Sequence, residues 1–364
     1  MKLGICCNFS WPHIGGSESV IQSIAESLVF DMGYEVTIFT FSEKVETHDF
    51  NLHRVPCLKG KGFIKQINQM DHVMVYSDSF WEWETIVSNI DRIKPKVTIV
   101  LVGMYNMFSN EHIYDMFRGD IHRYNVVTHS ADKSYETCLS DDIPVMIIPN
   151  GVDLDEFRED RVDFRKKYGI KENHIILNVA NFFYGKGQEE IPLVCDELDR
   201  RFVGTIENWA VVSISSSIQY PYEKRFIQKY KSLIKPYNNY FLRNIPREDV
   251  VAAFKESDVF LFTSKKEVSP IVILEAEAAG LPWISADVGD IMNRKGGEVI
   301  GIDKVDERGY KVFTPSSIKC YAKSVERILT IREWRDQLRE EGQKGIEERD
   351  WKNIVPMYHE VFNG

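Results

Sequence analysis

Two carboxylates eight positions apart, Glu267 and Glu275, flank the stretch of this chain best equipped for chemistry. Residues 259–263 form an apolar run of β-branched and aromatic side chains, the pattern of a buried strand. Residues 264–268 are polar and end it. Ser269 is a good helix N-cap, and Pro270 suits the first helical position, where its missing N–H costs nothing. Residues 271–279 read as a helix, Gly280 as its left-handed stop, and Pro282 blocks continuation before a strand at 283–286. A loop and a helix N-terminus then sit at the carboxyl end of a parallel strand, where open α/β sheets hold ligands. Backbone amides along Ser269, Ile271 and Val272, with Pro270 among them, favour phosphate. Glu267 and Glu275 can accept sugar hydroxyl protons. Amides for phosphate and carboxylates for hydroxyls together suit a phosphorylated sugar. The competing reading makes both acids solvated surface charges, and spacing alone does not choose.

Elements able to position such a stretch recur along the chain. At 364 residues there is room for two domains, each with its own core. A hydrophobic content of 43% and a charged content of 27% are those of an ordinary folded protein. The net charge of −10 argues against general attraction to nucleic acid or anionic lipid. No apolar run approaches a membrane span, and Met1-Lys2 leads into an apolar strand without a cleavage pattern. Six cysteines are scattered without a CxxC pair, which reads as reduced thiols in a cytoplasmic setting. A short stretch from Lys59 to Lys65, with Phe63 and Ile64, allows at most weak peripheral membrane contact. A solvated loop is the alternative.

Strands are expected at 3–7, 34–41, 73–76, 97–102, 125–128 and 145–148, and again at 174–180, 209–213 and 240–242, with helices between. Gly15 and Gly16 end the first loop, where paired glycines let backbone approach a ligand closely. Ser17 can cap the helix that follows, with Val20, Ile21, Ile24, Ala25 and Leu28 on one face. Trp81 and Trp83 lie in an aromatic and acidic cluster after the 73–76 strand, and Tyr105 and Asn106 follow the 97–102 strand. The first set could meet a sugar, whose C–H faces are apolar and whose hydroxyls need acceptors; it could equally be a helix packed on the sheet. His129 reads as a core or capping histidine. The chain has no HExxH, no clustered Cys/His set and no DxD flanked by apolar strands, so no metal site is expected.

Glu267–x7–Glu275, continued by Ala276 and Gly280-Leu281-Pro282, resembles the donor-site signature of retaining glycosyltransferases with the GT-B fold, the group that includes glycogen and sucrose synthases. The Gly15-Gly16 segment and Ile148-Pro149-Asn150-Gly151-Val152-Asp153 resemble further segments of that family, and the resemblance covers nearly the whole chain. It implies an α/β protein of two Rossmann-like domains facing across a cleft. These would be residues 1–157, joined by a C-terminal helix at 351–364 that crosses back, and residues 158–350. It implies hexosyl or pentosyl transfer from a UDP-, GDP- or ADP-sugar to a carbohydrate or glycoconjugate acceptor, with retention and without a cofactor. Glu267 and Lys186 would be the catalytic pair. Glu275, Gly15, Gly16, Ser269, Pro270, Ile271, Val272, Asn181, Arg243 and Asn244 would hold the donor, and Trp81, Trp83, Tyr105 and Asn106 the acceptor.

The chain departs from the family pattern in three places. Val268 stands where glycine is common, Asn181 where an arginine is usual, and no histidine stands at residues 103–106, where many family members carry one. Lys265, Lys266 and Arg243 are the cations available to compensate. A non-catalytic sugar-nucleotide-binding subunit and a transferase acting on a polynucleotide, of the viral DNA-modifying type, stay open as alternatives.

Overall fold

The computed structural model describes residues 1–7, 15–40, 52–56, 61–77, 86, 88–102, 124–130, 145–159, 162–202, 208–216 and 221–364. The chain divides into two compact units, Met1–Gly151 with Trp351–Gly364, and Val152–Asp350.

Seven parallel strands form the sheet of the first unit: β1 (Lys2–Cys7), β2 (Glu35–Thr40), β3 (Leu52–Pro56), β4 (His72–Ser77), β5 (Lys96–Leu101), β6 (Tyr124–Thr128) and β7 (Val145–Ile147). Their spatial order is β3-β2-β1-β4-β5-β6-β7. Strands covered on both faces read as unbroken apolar runs, and Leu3, Ile5, Val73, Val75, Val97, Ile99 and Val126 are accordingly buried. β3 escaped the sequence reading because His53, Arg54 and Pro56 interrupt it. Its place at the sheet edge tolerates all three.

The helix Gly16–Phe30 buries Val20, Ile21, Ile24, Ala25 and Leu28, the face its periodicity predicts. Ser17 does not cap it: the N-cap is Gly15, two residues earlier and extended, and no side chain caps that end. The short helix Lys61–Ile67 turns Phe63 and Ile64 into the core, so the suggested lipid-facing patch has no apolar half to offer. The C-terminal helix Trp351–Asn363 packs on Gly16–Phe30. It is tied to the sheet as well: Asn125 Nδ2 donates to the Val361 carbonyl at 3.0 Å, and the His72 and Phe362 rings lie 4.9 Å apart.

The second unit holds six parallel strands: β8 (His174–Val179), β9 (Trp209–Ser215), β10 (Asn239–Arg243), β11 (Val259–Phe262), β12 (Trp283–Ala286) and β13 (Gly297–Ile300). Their order is β10-β9-β8-β11-β12-β13. β13 is another short edge strand that its sequence, Gly297-Glu298-Val299-Ile300, did not announce. Leu154 and Phe157 join this unit's core together with Ile176, Leu177, Phe260 and Trp283. Among the described residues, no helix is long and apolar enough to cross a membrane.

His72 and His129 are both buried in the first unit. His129 Nδ1 lies 2.8 Å from the Ile148 carbonyl and must donate to it, so Nε2 accepts from the Tyr76 hydroxyl at 3.1 Å. Burial lowers each imidazole from 6.5 to about 4. Between those values the unfolded chain binds protons that the folded chain refuses, so stability is full above pH 6.5 and falls as the pH approaches 4. Each histidine accounts for at most about 3 kcal/mol of that loss. Urea unfolding of the first unit is expected to show a lower free energy at pH 5 than at pH 7, and His129→Gln to flatten the slope. Equal free energies at the two pH values would contradict this account.

Candidate functional site

The order of the second sheet sets the site. From β8 the chain moves outward through β9 and β10, then returns to place β11 on the other side of β8. The β8/β11 junction is therefore a topological switch point, where loops leaving the carboxyl ends of two neighbouring strands diverge and leave room for a ligand. The loops concerned are residues 180–187 and 263–270.

The two loops are stitched together. The turn Tyr184–Lys186 ends at Gly187, which has a left-handed φ of 63°. A Cβ there would stand 2.1 Å from the Thr263 carbonyl oxygen, so only glycine permits the approach. Lys265 N donates to the Gly185 carbonyl at 2.8 Å, and Thr263 Oγ1 donates to the Lys186 carbonyl at 3.1 Å. With its backbone pinned, Lys186 extends Nζ to Glu267 Oε1 at 2.5 Å. Ser264 Oγ donates to the same oxygen at 2.5 Å. The side chains of Lys186 and Glu267 are 24% and 12% exposed, which excludes the reading of Glu267 as a solvated surface charge.

Glu275 is also mostly buried and ion-paired. Its Oε1 receives Arg247 Nη1 at 2.5 Å, and Arg247 reaches Glu156 Oε2 through Nε at 3.0 Å and Nη2 at 2.7 Å. Glu275 lies on the helix Ile271–Ala278, whose first turn no side chain caps. Pro270, not Ser269, is the N-cap residue; the Ser269 hydroxyl instead donates to Asp290 Oδ2 at 3.0 Å. The amides of Ile271 and Val272 open that helix. Its far end closes as expected, with Gly280 at φ 65° and Leu281 N donating to the Ala276 carbonyl at 2.8 Å.

The remaining second-unit candidates line the same carboxyl edge of the sheet. Asn181 Oδ1 accepts from Ser216 Oγ at 2.5 Å, and Asn244, at φ 51°, donates its N–H to the Ser215 carbonyl at 3.0 Å. These contacts join the ends of β8, β9 and β10.

The three compensating cations part company. Lys265 is 5% exposed and bound by Glu189 at 2.7 Å and Glu190 at 2.9 Å, with the Tyr184 ring 4.3 Å away. Burial works against its charge, and the two carboxylates overcome that and raise its pKa. Lys266 donates to the Arg308 carbonyl at 3.2 Å, and burial lowers its pKa. Arg243 makes no ion pair among the described residues, and its Nε is buried without an acceptor.

In the first unit, Gly15 and Gly16 open the helix that follows β1, at that sheet's own switch point between β1 and β4. Trp81, Trp83, Tyr105 and Asn106 lie outside the described residues. So does Lys59. Among the described residues, no three His, Cys, Asp or Glu side chains cluster as a metal site would require.

Sequence reasoning missed Ser264, Ser216, Arg247 and Glu156. Ser264 is three residues from Glu267 and was legible as a polar residue leaving a strand. Arg247 stands 28 positions before Glu275, and no periodicity links them.

Two Rossmann-like units of parallel sheet are the architecture of the GT-B fold. The chain belongs to the family described as glycosyl transferases group 1, which matches residues 160–345. It is 23% identical over 374 residues to the putative glycosyltransferase YtcC of Bacillus subtilis, covering 95% of this chain and 88% of that protein. In architecture it is similar to Anabaena Alr3699/HepE in complex with UDP-glucose, with a TM-score of 0.77, 15% identity and coverage of 100% and 99% of the two chains. It is similar also to the sucrose-phosphate synthase of Thermosynechococcus elongatus, with a TM-score of 0.76, 15% identity and coverage of 100% and 98%.

The stitch at Gly187 is open to a direct test. Gly187→Ala combines a left-handed backbone, costing about 1–2 kcal/mol for a residue with a Cβ, with a collision against the Thr263 carbonyl. Thermal unfolding is expected to show a destabilised second unit. Wild-type stability in Gly187→Ala would mean that the turn is not held as described.

Proposed function

We propose that the protein transfers a sugar from a nucleoside diphosphate sugar to a carbohydrate or glycoconjugate acceptor, with retention at the anomeric carbon. The observation that carries this reading is the Lys186–Glu267 pair, 2.5 Å apart, on loops that leave the second sheet at its switch point. Beside it in the chain, the helix Ile271–Ala278 opens with uncapped amides. Support also comes from the UDP-glucose complex of the similar HepE structure.

On this reading Lys186 and the amides of Ile271 and Val272 bind the diphosphate. Glu267 accepts hydroxyls of the donor sugar, and Glu275 accepts those of the ribose. Asn181, Arg243 and Asn244 complete the nucleotide side, with Ser269 and Pro270 shaping the loop. Gly15 and Gly16 let first-unit backbone approach the donor phosphate, and Trp81, Trp83, Tyr105 and Asn106 serve the acceptor.

In the reaction, the bond between the anomeric carbon and the phosphate oxygen breaks through an oxocarbenium-like transition state. The acceptor oxygen bonds to that carbon on the same face. Its proton passes to the departing diphosphate. Charge grows on the diphosphate as the bond breaks, so preorganised donors aimed at it contribute more to the transition state than to ground-state binding. Lys186 has three N–H donors, and Glu267 uses one of them. The ion pair can therefore stay intact while a phosphate oxygen is bound. The positive charge comes from the protein, and we propose that no metal or other cofactor takes part.

Nucleotide release, measured with UDP-, GDP- and ADP-sugars across a panel of acceptors, tests the activity, and the anomeric proton coupling of the product tests retention. Lys186→Ala is expected to lower kcat/KM by roughly two to three orders of magnitude, the scale of losing one preorganised donor. Lys186→Arg should recover little, since a planar fork does not replace a point charge at the same reach. Near-full turnover in Lys186→Ala would move the diphosphate cation elsewhere. Activity abolished by chelator and restored by Mg²⁺ would refute the metal-free mechanism.

A further inference from the structure

We propose that Arg247 is a positioning residue that fixes which oxygen of Glu275 faces the ribose of the donor. The inference rests on the assignment of Glu275 to the ribose hydroxyls. Glu275 has a side chain only 9% exposed, and its two oxygens are not equivalent. Oε1 is bound by Arg247 Nη1 at 2.5 Å, while Oε2 has no hydrogen-bond partner among the described residues. A ribose offers two adjacent hydroxyls. A carboxylate with one oxygen anchored can receive them on Oε2 and on the remaining lone pair of Oε1.

Arg247 is itself held in place. It begins the helix Arg247–Glu256, which follows β10, and so approaches Glu275 from a separate strand–helix connection. On its far side, Nε and Nη2 both donate to Glu156 Oε2, at 3.0 and 2.7 Å, and its guanidinium lies 5.9 Å from the centre of the Phe157 ring. A planar fork that spends three donors on two carboxylates cannot rotate without losing one of them. Its side chain is 45% exposed, so solvent screens the attraction. The consequence for Glu275 is orientation more than charge. A lysine at this position could reach one acid but could not bridge both in a plane.

The test uses the full chain and isothermal calorimetry. Uridine, guanosine and adenosine diphosphates are each paired with the 2′,3′-dideoxy form, and the pair whose ribose form binds tightest is compared across variants. The wild type is expected to prefer the ribose form at least tenfold, as befits hydrogen bonds to a charged acceptor. Arg247→Met should bring that ratio close to one while leaving dideoxy affinity unchanged, and should raise the donor KM more than it lowers kcat. Arg247→Lys should restore only part of the ratio. Glu156→Gln, which loosens Arg247 from its far side without touching Glu275, should give an intermediate ratio. A purely structural role for Arg247 would weaken both nucleotide forms equally, and that result overturns the inference. So does a wild-type ratio in Arg247→Met alongside a lost ratio in Glu275→Ala, which leaves the ribose assignment of Glu275 standing. A wild-type protein without ribose preference, or a Glu275→Ala variant that keeps it, removes that assignment and this inference with it.

Discussion

The contact between Gly187 and the carbonyl of Thr263 is the constraint on which the rest of the site depends. Two loops from different strand–helix units meet there at a separation that excludes even a methyl group. Sheet order makes it possible, because β8 and β11 are neighbours whose register pairs Val259 with Ile176 and Phe260 with Leu177. Those residues are fully buried, and a one-residue slip would exchange the two packed faces and force the core on both sides to repack. From the register follows the height at which the 180–187 and 263–270 loops leave the sheet. From the glycine contact and the flanking backbone bonds follows the place of Lys186, and from Lys186 the pairing of Glu267. The chain of causes runs from sheet topology to one ammonium group.

At this edge of an acidic protein the cations are paired, not displayed. Lys186 is matched by Glu267, Arg247 by Glu275 and Glu156, and Lys265 by Glu189 and Glu190. Partly buried pairs of this kind are weak contributors to stability, since desolvation offsets much of their attraction. Removing one partner is far more damaging than never having had the pair, because a buried charge is left alone. That asymmetry makes Glu267 and Glu275 sensitive reporters of their cations. It also keeps each carboxylate oriented before a ligand arrives, which lowers the ordering cost of binding.

Much of this was legible in the sequence, for physical reasons that also set the limits. Buried parallel strands are continuous apolar runs, so β1, β4, β5, β8, β9, β11 and β12 stood out. The edge strands β3 and β13 did not, because an edge tolerates polar residues, proline and brevity. The helix Ile271–Ala278 was readable from Pro270 and Gly280, though its N-cap fell one residue late, on the proline. Glu267 and Lys186 could be nominated separately, yet nothing in the sequence places side chains 81 residues apart at 2.5 Å. The Glu156–Arg247–Glu275 bridge was invisible for the same reason. Phe63 and Ile64 misled in the opposite direction: beside lysines they suggested a surface patch, and in the fold their helix turns them inward.

Asn181 shows how a missing charge is absorbed. At the position where the family usually has an arginine, it cannot contact phosphate as a cation, and its Oδ1 instead accepts from Ser216 and ties the end of β8 to β9. Asn244 continues the line from β9 to β10 through the Ser215 carbonyl, in a left-handed conformation that asparagine tolerates better than most residues. That line ends beside Arg243. Of the three cations that could stand in for the absent arginine, Lys265 is held by two glutamates and Lys266 is turned toward the Arg308 carbonyl. Arg243, which like Lys266 makes no ion pair among the described residues, keeps a buried Nε without an acceptor. A helix terminus supplies only about half an elementary charge, and Lys186, though paired with Glu267, keeps N–H donors in reserve. Arg243 thus keeps a side-chain donor unused at the carboxyl edge of the sheet, and on the proposed reading it supplements Lys186 on the nucleotide side.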